Sequence, residues 1–534
     1  MKLLPLVLGL LCQVAVAPAR ILPPRFQGGR GLHARATAVT GNHTAYYFEQ
    51  KIDHFPRSSR YPSHTKKTFQ QRYYVDTSYY KPGGPVFLYL AGEGAIDNDS
   101  HLDNSLITHF MQQFGGIGVV LENRFYGTSI PFGNATTDDL LYLTTEQVIA
   151  DHDVFARTVK LPGVSDINAP DTPWITYGGS YPGALSAFTI KTYPDTFLGG
   201  ISSSGVIHGT LGYPEWYAPI QLLAPQDCVA SINNIVDNID SVIESKNHAA
   251  IKELKTIFGL GDLKDIRDFA QTIAFPIGGP FYYPTSTWQE INWNPNYGHQ
   301  DFFEFCTNVT NVDAPANVTA VDHALAKYTK GKAWKNLGNY ADYVKRVVLP
   351  LCTNGDVNSP ECFGTQNPDW WADPTPGAER SYLYTTCTEF GAYQAAYPKG
   401  QKSLISRVID TDYTQQWCNW AFPKGKYNKI PKTPDLDRWN VYGDFNFTAD
   451  RLLFLDGTGD PWRDLCYHST QAPQRYWTDE HPEHLISGAH HVWDLRTYSN
   501  VDDEPQFVRA TTKLQLRTVE TWLKDFNNHT IAMF

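Results

Sequence analysis

Charge is scarce in this sequence, and most of it is negative. Charged residues make up 19% of the 534 residues, and 44 lysines and arginines stand against 55 aspartates and glutamates, for a net charge of −11 at pH 7. Nucleic acids and anionic membrane surfaces are themselves negative, so an acidic chain binds them poorly. We therefore expect no nucleic-acid partner.

Long hydrophobic runs are missing after the first twenty residues, so we expect no membrane span. The chain begins MKLLPLVLGLLCQVAVAPAR, in which one lysine precedes an apolar run and the small residues Ala17 and Ala19 offer a cleavage site. This pattern predicts a secretory signal peptide over residues 1–19, with a buried N-terminal helix as the alternative. Residues 20–45 carry four arginines and no acid, and we expect a flexible leader or pro-segment there.

Cysteine pairs with CxxC spacing are also absent, so we expect no zinc site and no cofactor. Seven cysteines follow the signal segment: Cys228, Cys306, Cys352, Cys362, Cys387, Cys418 and Cys466. An odd number leaves at least one unpaired, and the others should form disulfides in an oxidising compartment. Sequence alone leaves their connectivity open; we expect each of the first six to pair with its neighbour along the chain, which leaves Cys466 free.

Sites for N-glycosylation support export. The Asn-x-Ser/Thr pattern occurs at Asn42, Asn98, Asn134, Asn308, Asn317, Asn446 and Asn528. Such asparagines are glycosylated on exposed loops of exported proteins. We expect a secreted protein or one delivered to a vacuole or lysosome.

Short apolar runs that end in turn residues predict a parallel sheet buried on both faces. They are Val86–Leu90, Ile117–Leu121, Trp174–Tyr177, Leu452–Leu455 and His484–Ser487. Helical patterns separate them, for example at Thr145–Val159 and Glu504–Phe526. Alternating strands and helices indicate the α/β class, with the active site beyond the carboxyl ends of the strands.

The middle of the chain has a different pattern of predicted secondary structure. Between about Tyr213 and Ile430 the strand pattern fades, and helical stretches such as Ser231–Leu260 and Ala324–Val348 appear. We expect a large, mainly helical cap over residues 213–430. The core would then consist of residues 46–212 and 431–534.

The stretch TPWITYGGSYPGALSAF predicts a nucleophile on a strand-to-helix turn. In α/β-hydrolases such a turn lifts the serine hydroxyl off the sheet and aims backbone N–H groups at the developing oxyanion. Gly178 and Gly179 precede Ser180 and suit the crowded backbone of the turn. Pro182 stands where glycine is common, which is tolerable because proline fits the first turn of a helix. The alternative is a turn that merely contains a serine.

An acid and a base follow in the order that this fold requires, serine, then aspartate or glutamate, then histidine. LLFLDGTGDPW supplies Asp456 and Asp460 after a strand, and HLISGAHHVWDLR supplies His490 and His491. The aspartates could instead be turn formers. The histidines could be surface residues or, with others upstream, a metal cluster, although no HExxH motif or helical histidine pair is present.

Six stretches in order carry a family resemblance: YFEQKIDHF, LENRFYGTSIPF, YLTTEQVIAD, GGSYPG, DGTGDPW and GAHHVWDLR. Together they resemble the serine peptidases that include lysosomal Pro-Xaa carboxypeptidase, dipeptidyl peptidase II and the fungal prolyl endopeptidases. The resemblance runs from about Tyr47 to the last helix and is weakest in the middle. It implies an α/β-hydrolase core with a helical cap, and cleavage after proline at acidic pH by a Ser-Asp-His triad.

Residue by residue, the resemblance implies that Ser180 is the nucleophile and Asp460 the acid, in preference to Asp456, where the family usually has asparagine. The assignment of the base is less direct. His491 has the family's His-x-x-Asp-Leu spacing, whereas counting from Gly-Ala favours His490. We choose His491 and keep His490 as the alternative.

The N–H of Tyr181 is one expected oxyanion donor, and the second should come from Glu93 or Gly94 in the loop after an earlier strand. The aromatic share of 14% is high and favours aromatic-lined pockets. The resemblance implies that Trp462 walls the proline pocket, since a flat indole suits a pyrrolidine ring; the alternative is a plain core tryptophan.

The expected partners are therefore peptides or proteins that contain proline. Two other functions stay open: an esterase or lipase on the same fold, and a secreted binding protein without catalysis. The sequence also leaves open the carboxypeptidase, dipeptidyl aminopeptidase or endopeptidase mode, and the oligomeric state.

Overall fold

The computed structural model describes residues 43–62, 64–96, 100–103, 105–279, 288–294, 301–495 and 497–532. The expected signal peptide and nearly all of the expected leader lie outside these residues, as do Asn42 and Asn98. In the described part of the chain, no helix is long and apolar enough to cross a membrane.

Ten strands form two sheets in the described part of the chain. They are β1 (Tyr46–Lys51), β2 (Thr68–Asp76), β3 (Val86–Leu90), β4 (Ile117–Leu121), β5 (Trp174–Gly179), β6 (Gly199–Ser203), β7 (Thr210–Gly212), β8 (Gly391–Tyr393), β9 (Leu452–Gly457) and β10 (Glu483–Ile486). The large sheet has the order β1-β2-β4-β3-β5-β6-β9-β10. Its pairings are parallel from β4 through β3, β5, β6 and β9 to β10, and antiparallel where β1, β2 and β4 meet.

Helices flank this sheet and fill the segment between β7 and β9. They are α1 (Leu106–Phe114), α2 (Thr145–Thr158), α3 (Tyr181–Thr192), α4 (Ala218–Leu223), α5 (Gln226–Glu244), α6 (His248–Ile257), α7 (Ile266–Ile273), α8 (Asp301–Val309), α9 (Ala316–Thr319), α10 (Leu337–Tyr343), α11 (Pro368–Trp371), α12 (Ala378–Thr385), α13 (Thr411–Ala421), α14 (Asp437–Asn440) and α15 (Gln506–Ala532).

The central strand β3 explains why both sheet faces are covered. All five of its residues are buried, and they alternate between two cores. Val86, Leu88 and Leu90 join the core that contains residues of α2 and α3, whereas Phe87 and Tyr89 join the one that contains residues of α1 and α15. A strand with both faces buried reads as an unbroken apolar run, which is the pattern in the sequence. The predicted α/β-hydrolase fold is confirmed.

Residues between β7 and β9 are mainly helical, as expected for a cap, and share the larger core with α2 and α3. The boundaries of the cap at 213 and 430 stay a prediction. The expected helical stretch at residues 231–260 is present and is divided between two helices, α5 and α6. The chain breaks between them at Ser245–Asn247, because the Asn247 side chain accepts from the N–H groups of Ala249 and Ala250 and caps α6.

Three disulfides link elements within residues 228–418. The pairs Cys228–Cys306, Cys352–Cys362 and Cys387–Cys418 confirm the expected pairing of neighbours, and Cys466 is free and buried. The first pair joins α5 to α8.

The glycosylation sites in the described part of the chain differ in exposure. Asn134, Asn317 and Asn446 are exposed. Asn308 is half-buried, and its amide oxygen accepts from Arg346. Asn528 lies in α15, but its side chain is outside the described atoms. Glycosylation at all seven sites stays a prediction.

A buried ion pair fastens the first strand to the sheet. The guanidinium of Arg124 donates to Asp151 on α2, with Nε 2.7 Å from Oδ2, and to the carbonyl oxygens of Lys51, Ile52 and Tyr142. His54 forms a hydrogen bond of 2.7 Å with Asp151. Because both charges are almost fully buried, removing one would leave the other without compensation.

We expect Asp151→Asn to lower the free energy of unfolding by about 3–5 kcal/mol, the usual cost of an uncompensated buried charge. Thermal or urea unfolding would measure the loss. Asp171→Asn, at an exposed loop position, is the matched control and should unfold like the wild type. Equal stability of the two variants would contradict this account of the ion pair.

Candidate active site

Ser180 occupies a strained turn between β5 and α3. Its φ is 64° and its ψ is −128°, a backbone conformation that residues other than glycine rarely adopt. The neighbouring glycines are required by contact, because a Cβ on Gly178 would lie 2.2 Å from the carbonyl oxygen of Pro182 and one on Gly179 would lie 2.6 Å from Leu495. The turn therefore presents the serine at the carboxyl edge of the sheet, as expected.

A hydrogen-bonded chain runs from Ser180 through His491 to Asp460. The Oγ of Ser180 lies 2.8 Å from Nε2 of His491, and Nδ1 of His491 lies 2.8 Å from Oδ2 of Asp460. The His491 and Asp460 side chains are fully buried. Burial alone would lower the pKa of His491, but Asp460, with smaller contributions from Glu290 and Glu93, outweighs it and raises that pKa. This geometry allows a base to take the serine proton.

His490 faces a different neighbourhood. Its Nδ1 donates to the carbonyl oxygen of Trp288 over 2.9 Å, and its ring lies against Trp288 and Trp493. Burial lowers the pKa of His490 to about 4, so the ring is neutral. Of the two histidines, only His491 contacts Ser180 in the described part of the chain.

Asp456 belongs to a separate ion pair. Its Oδ2 accepts from the N–H and from Nδ1 of His468, whose Nε2 lies 2.6 Å from Glu483. Burial would lower the pKa of His468, but its two carboxylate partners raise it to about 9. Asp456 is thus engaged away from His491. The described residues also hold no group of three or more histidines, cysteines or acids that could bind a metal.

Asp494 anchors the loop that carries His491. The buried Asp494 carboxyl accepts from the hydroxyl of Tyr177 on β5 over 3.0 Å and from that of Ser203 on β6. The N–H of Val492 donates to Ser204. In the sequence, Asp494 stands out only as part of the spacing after His491, and its contacts with two strands could not be read from that spacing.

The loop after β3 lies beside the serine turn. A Cβ on Gly92 would come within 3.4 Å of Pro182. Glu93 and Gly94 are the next two residues of the same loop. Tyr181 is the first residue of α3, where a backbone N–H has no carbonyl partner within the helix. Burial raises the pKa of Glu93 to about 7. Tyr181, Glu93 and Gly94 are thus close to the turn, and their donor roles stay a prediction.

A small, closely packed aromatic pocket adjoins the serine. It is lined by Ser180, Tyr181, Val206, Tyr382, Phe390, Trp439 and Trp462. Trp462 stacks on Tyr213 with ring centres 5.8 Å apart, and its Nε1 donates to Gln289. Of these aromatic residues the sequence singled out only Tyr181 and Trp462. The high aromatic content was the only signal for the others, because they converge from distant parts of the chain.

Comparisons with known proteins agree over most of the chain. The family described as serine carboxypeptidase S28 matches residues 50–513. An Arthroderma benhamiae protein named "Probable extracellular serine carboxypeptidase" is 35% identical over 98% of this chain and 74% of its own length. "Serine protease vicPa" of Bipolaris victoriae is 30% identical over 98% and 96%, and "Lysosomal Pro-X carboxypeptidase" of Pongo abelii 24% over 92% and 90%.

The two histidines can be separated by labelling Ser180 with a fluorophosphonate, which reacts with activated serines. We expect His491→Gln to slow labelling on the order of 10⁴-fold or more, because the base is lost. His490→Gln should stay within roughly 100-fold of the wild type, since it can only displace the base. Labelling rates near neutral pH would measure both. The reverse order would make His490 the base.

Proposed function

The chain belongs to the serine carboxypeptidase S28 family, and we propose that it is an exported serine peptidase that cleaves peptide bonds after proline at acidic pH. The observation that carries this proposal is the hydrogen-bonded chain of Ser180, His491 and Asp460 beside an aromatic pocket. The proposal names Ser180 as nucleophile, His491 as base and Asp460 as acid.

Catalysis follows the steps of a serine hydrolase. Nε2 of His491 takes the proton as Oγ of Ser180 attacks the scissile carbonyl, and the imidazolium then gives this proton to the leaving amine. Asp460 holds the imidazole in the tautomer that leaves Nε2 free to accept, and it stabilises the positive charge. Water then attacks the ester on Ser180 by the same route and releases the acid product.

Backbone donors stabilise the negative oxygen of the tetrahedral intermediate. The N–H of Tyr181 is one, and an N–H of Glu93 or Gly94 is the other. The close approach of Gly92 to Pro182 supports this assignment, since it brings the loop to the serine turn. Loss of one such donor typically costs roughly 10²–10³ in rate.

Selection for proline rests on the aromatic pocket. Trp462 offers a flat apolar face, and its position is fixed by the hydrogen bond to Gln289 and the stack on Tyr213. A pyrrolidine ring packs well on such a face and loses little conformational freedom on binding. Ser180 also lines this pocket, which favours the residue before the scissile bond as its occupant.

Export is supported by three features. Residues 1–19 have the pattern of a signal peptide, three disulfides are formed, and several Asn-x-Ser/Thr sites are exposed. The Arthroderma benhamiae relative is named extracellular and the Pongo abelii relative lysosomal. Both destinations lie on the secretory pathway.

Three peptides test the function at about pH 5, in the acidic range that the proposal names. One has proline next to last, one has proline second from a free amine, and one has proline mid-chain with both ends blocked. We expect mass spectrometry to detect cleavage after proline by the wild type and none by Ser180→Ala, and the peptide consumed identifies the mode. If no peptide is cut while simple esters are hydrolysed, the protein is an esterase; no hydrolysis and no labelling of Ser180 would indicate a binding protein.

The raised pKa of Glu93 predicts that activity declines at alkaline pH. Its carboxyl is neutral below about pH 7 and negative above it, because burial raises its pKa to that value. A negative charge next to the oxyanion opposes the transition state, so kcat/KM should fall as the pH rises through about 7. Glu93→Gln, which stays neutral, should keep more of its activity at pH 8 than the wild type does. An unchanged ratio of activities at pH 5 and pH 8 would refute this role.

A further inference from the structure

A short segment from between β7 and β9 crosses both loops of the triad. We call residues Trp288–Asn294 the cap strap. On the loop that carries Asp460, the strap makes two hydrogen bonds: Nε1 of Trp288 donates to the carbonyl oxygen of Gly459 over 2.8 Å, and Nε1 of Trp462 donates to Oε1 of Gln289 over 2.8 Å. The strap is thus joined to the acid loop on both sides of Asp460.

The same strap is joined to the loop of the base. The carbonyl oxygen of Trp288 accepts from Nδ1 of His490 over 2.9 Å. Nε1 of Trp493 donates to the carbonyl oxygen of Ile291 over 2.7 Å, and Nε1 of Trp293 donates to that of Trp493 over 2.8 Å. His491 is therefore flanked on both sides by residues bound to the strap.

Tryptophan suits this task. Four of the five hydrogen bonds use an indole N–H, which is a donor only and sits on a large rigid ring. Trp288 and Trp462 are buried, so their donors would be costly to leave unpaired. Each bond therefore fixes both the direction and the distance between strap and loop.

Glu290 stands between Gln289, which is bonded to the acid loop through Trp462, and Ile291, which is bonded to the base loop through Trp493. The charged groups that face His491 come from three elements: Asp460 from the acid loop, Glu290 from the strap and Glu93 from the loop after β3. All three are carboxyl groups. Burial raises the pKa of Glu290 to about 7, while His491 pulls it back toward its usual value. The other histidine of the loop, His490, stays neutral because burial lowers its pKa to about 4.

We propose that the cap strap is part of the catalytic machinery, with Trp288 holding the acid and base loops in register and Glu290 acting on the charge of His491 as a positioning residue. This inference rests on the triad proposed above. It gives the cap a role in the chemical step, beyond narrowing the access to the site.

The electrostatic coupling between Glu290 and His491 affects the pH at which His491 can accept a proton. Ionised Glu290 stabilises the imidazolium of His491, and the imidazolium favours ionised Glu290, so the two groups titrate as a pair. Removing the carboxyl leaves a histidine that loses its proton at lower pH. The base then becomes available in more acidic solution, but it is also a weaker base at neutral pH.

Glu290→Gln tests the electrostatic part. The readout is the pH dependence of Ser180 labelling by a fluorophosphonate, which needs the base but no proline pocket. We expect the acidic limb to move to lower pH by roughly one unit, the usual effect of losing one nearby opposite charge, with the melting temperature within a few degrees of the wild type. Glu304→Gln, at an exposed position on α8, is the matched control and should keep the wild-type profile.

Trp288→Phe tests the spacing of the loops. Phenylalanine keeps an aromatic ring against Phe302 and His490 but loses the donor to Gly459. We expect the labelling rate to fall roughly tenfold to 100-fold at every pH, as misplacement of reacting groups does, with less change in the midpoint of the limb than in Glu290→Gln. Trp493→Phe removes the indole hydrogen bond to the carbonyl oxygen of Ile291 and should also lower the labelling rate.

Two results would overturn the inference: a wild-type pH midpoint in Glu290→Gln, or Trp288 and Trp493 variants that melt earlier but label at the wild-type rate. Failure of proline selectivity gives a different pattern, because Ser180 would still be labelled while none of the three peptides is cut. If the wild type itself is not labelled, the triad and the strap's role in it are both refuted.

Discussion

The crowded turn at Ser180 is the constraint on which the rest of the site depends. A serine holds a φ of 64° only if its surroundings fix it there, and the surroundings come from both sides of the sheet. Its N–H donates to the carbonyl oxygen of Ser203 on β6, and Leu495 from the base loop packs where a side chain on Gly179 would be. The loop of the base thus supports the turn of the nucleophile as well as supplying its partner.

Carboxyl groups with raised pKa values surround the site. Burial raises the pKa of Glu93 and Glu290 to about 7, of Asp494 to about 6 and of Glu379 on α12 to about 8. A carboxyl with a raised pKa favours the folded state most at low pH, and this contribution is lost as the pH rises from the unfolded value through the folded one. The neutral His490 works in the opposite direction below its usual pKa. These four carboxyls thus contribute most to the stability of the folded state in an acidic medium.

The sequence predicted those parts of the fold that local patterns determine. Strands β3, β4, β5 and β9 are continuous apolar runs, and they were recognised as such. Strand β6, with the sequence GGISS, was not, because glycine and serine are poor strand formers and only its place between β5 and β9 makes it one.

For the site, Ser180, Asp460 and His491 stand in short motifs at strand ends, so sequence brought together the three residues that the structure joins by hydrogen bonds. The pocket aromatics Tyr382 and Trp439 and the cap strap could not be found in this way. Their positions depend on how the segment between β7 and β9 packs back onto the sheet, and no local pattern encodes that packing.

The order of elements along the chain has a consequence for biosynthesis. The segment that holds the cap strap lies between Ser180 and Asp460, and β9 and β10 are the last strands of the sheet along the chain. A ribosome therefore completes the nucleophile's turn long before it has made the acid or the base. During synthesis the growing chain therefore carries the serine without its acid and base, and it cannot activate that serine until both loops are in place.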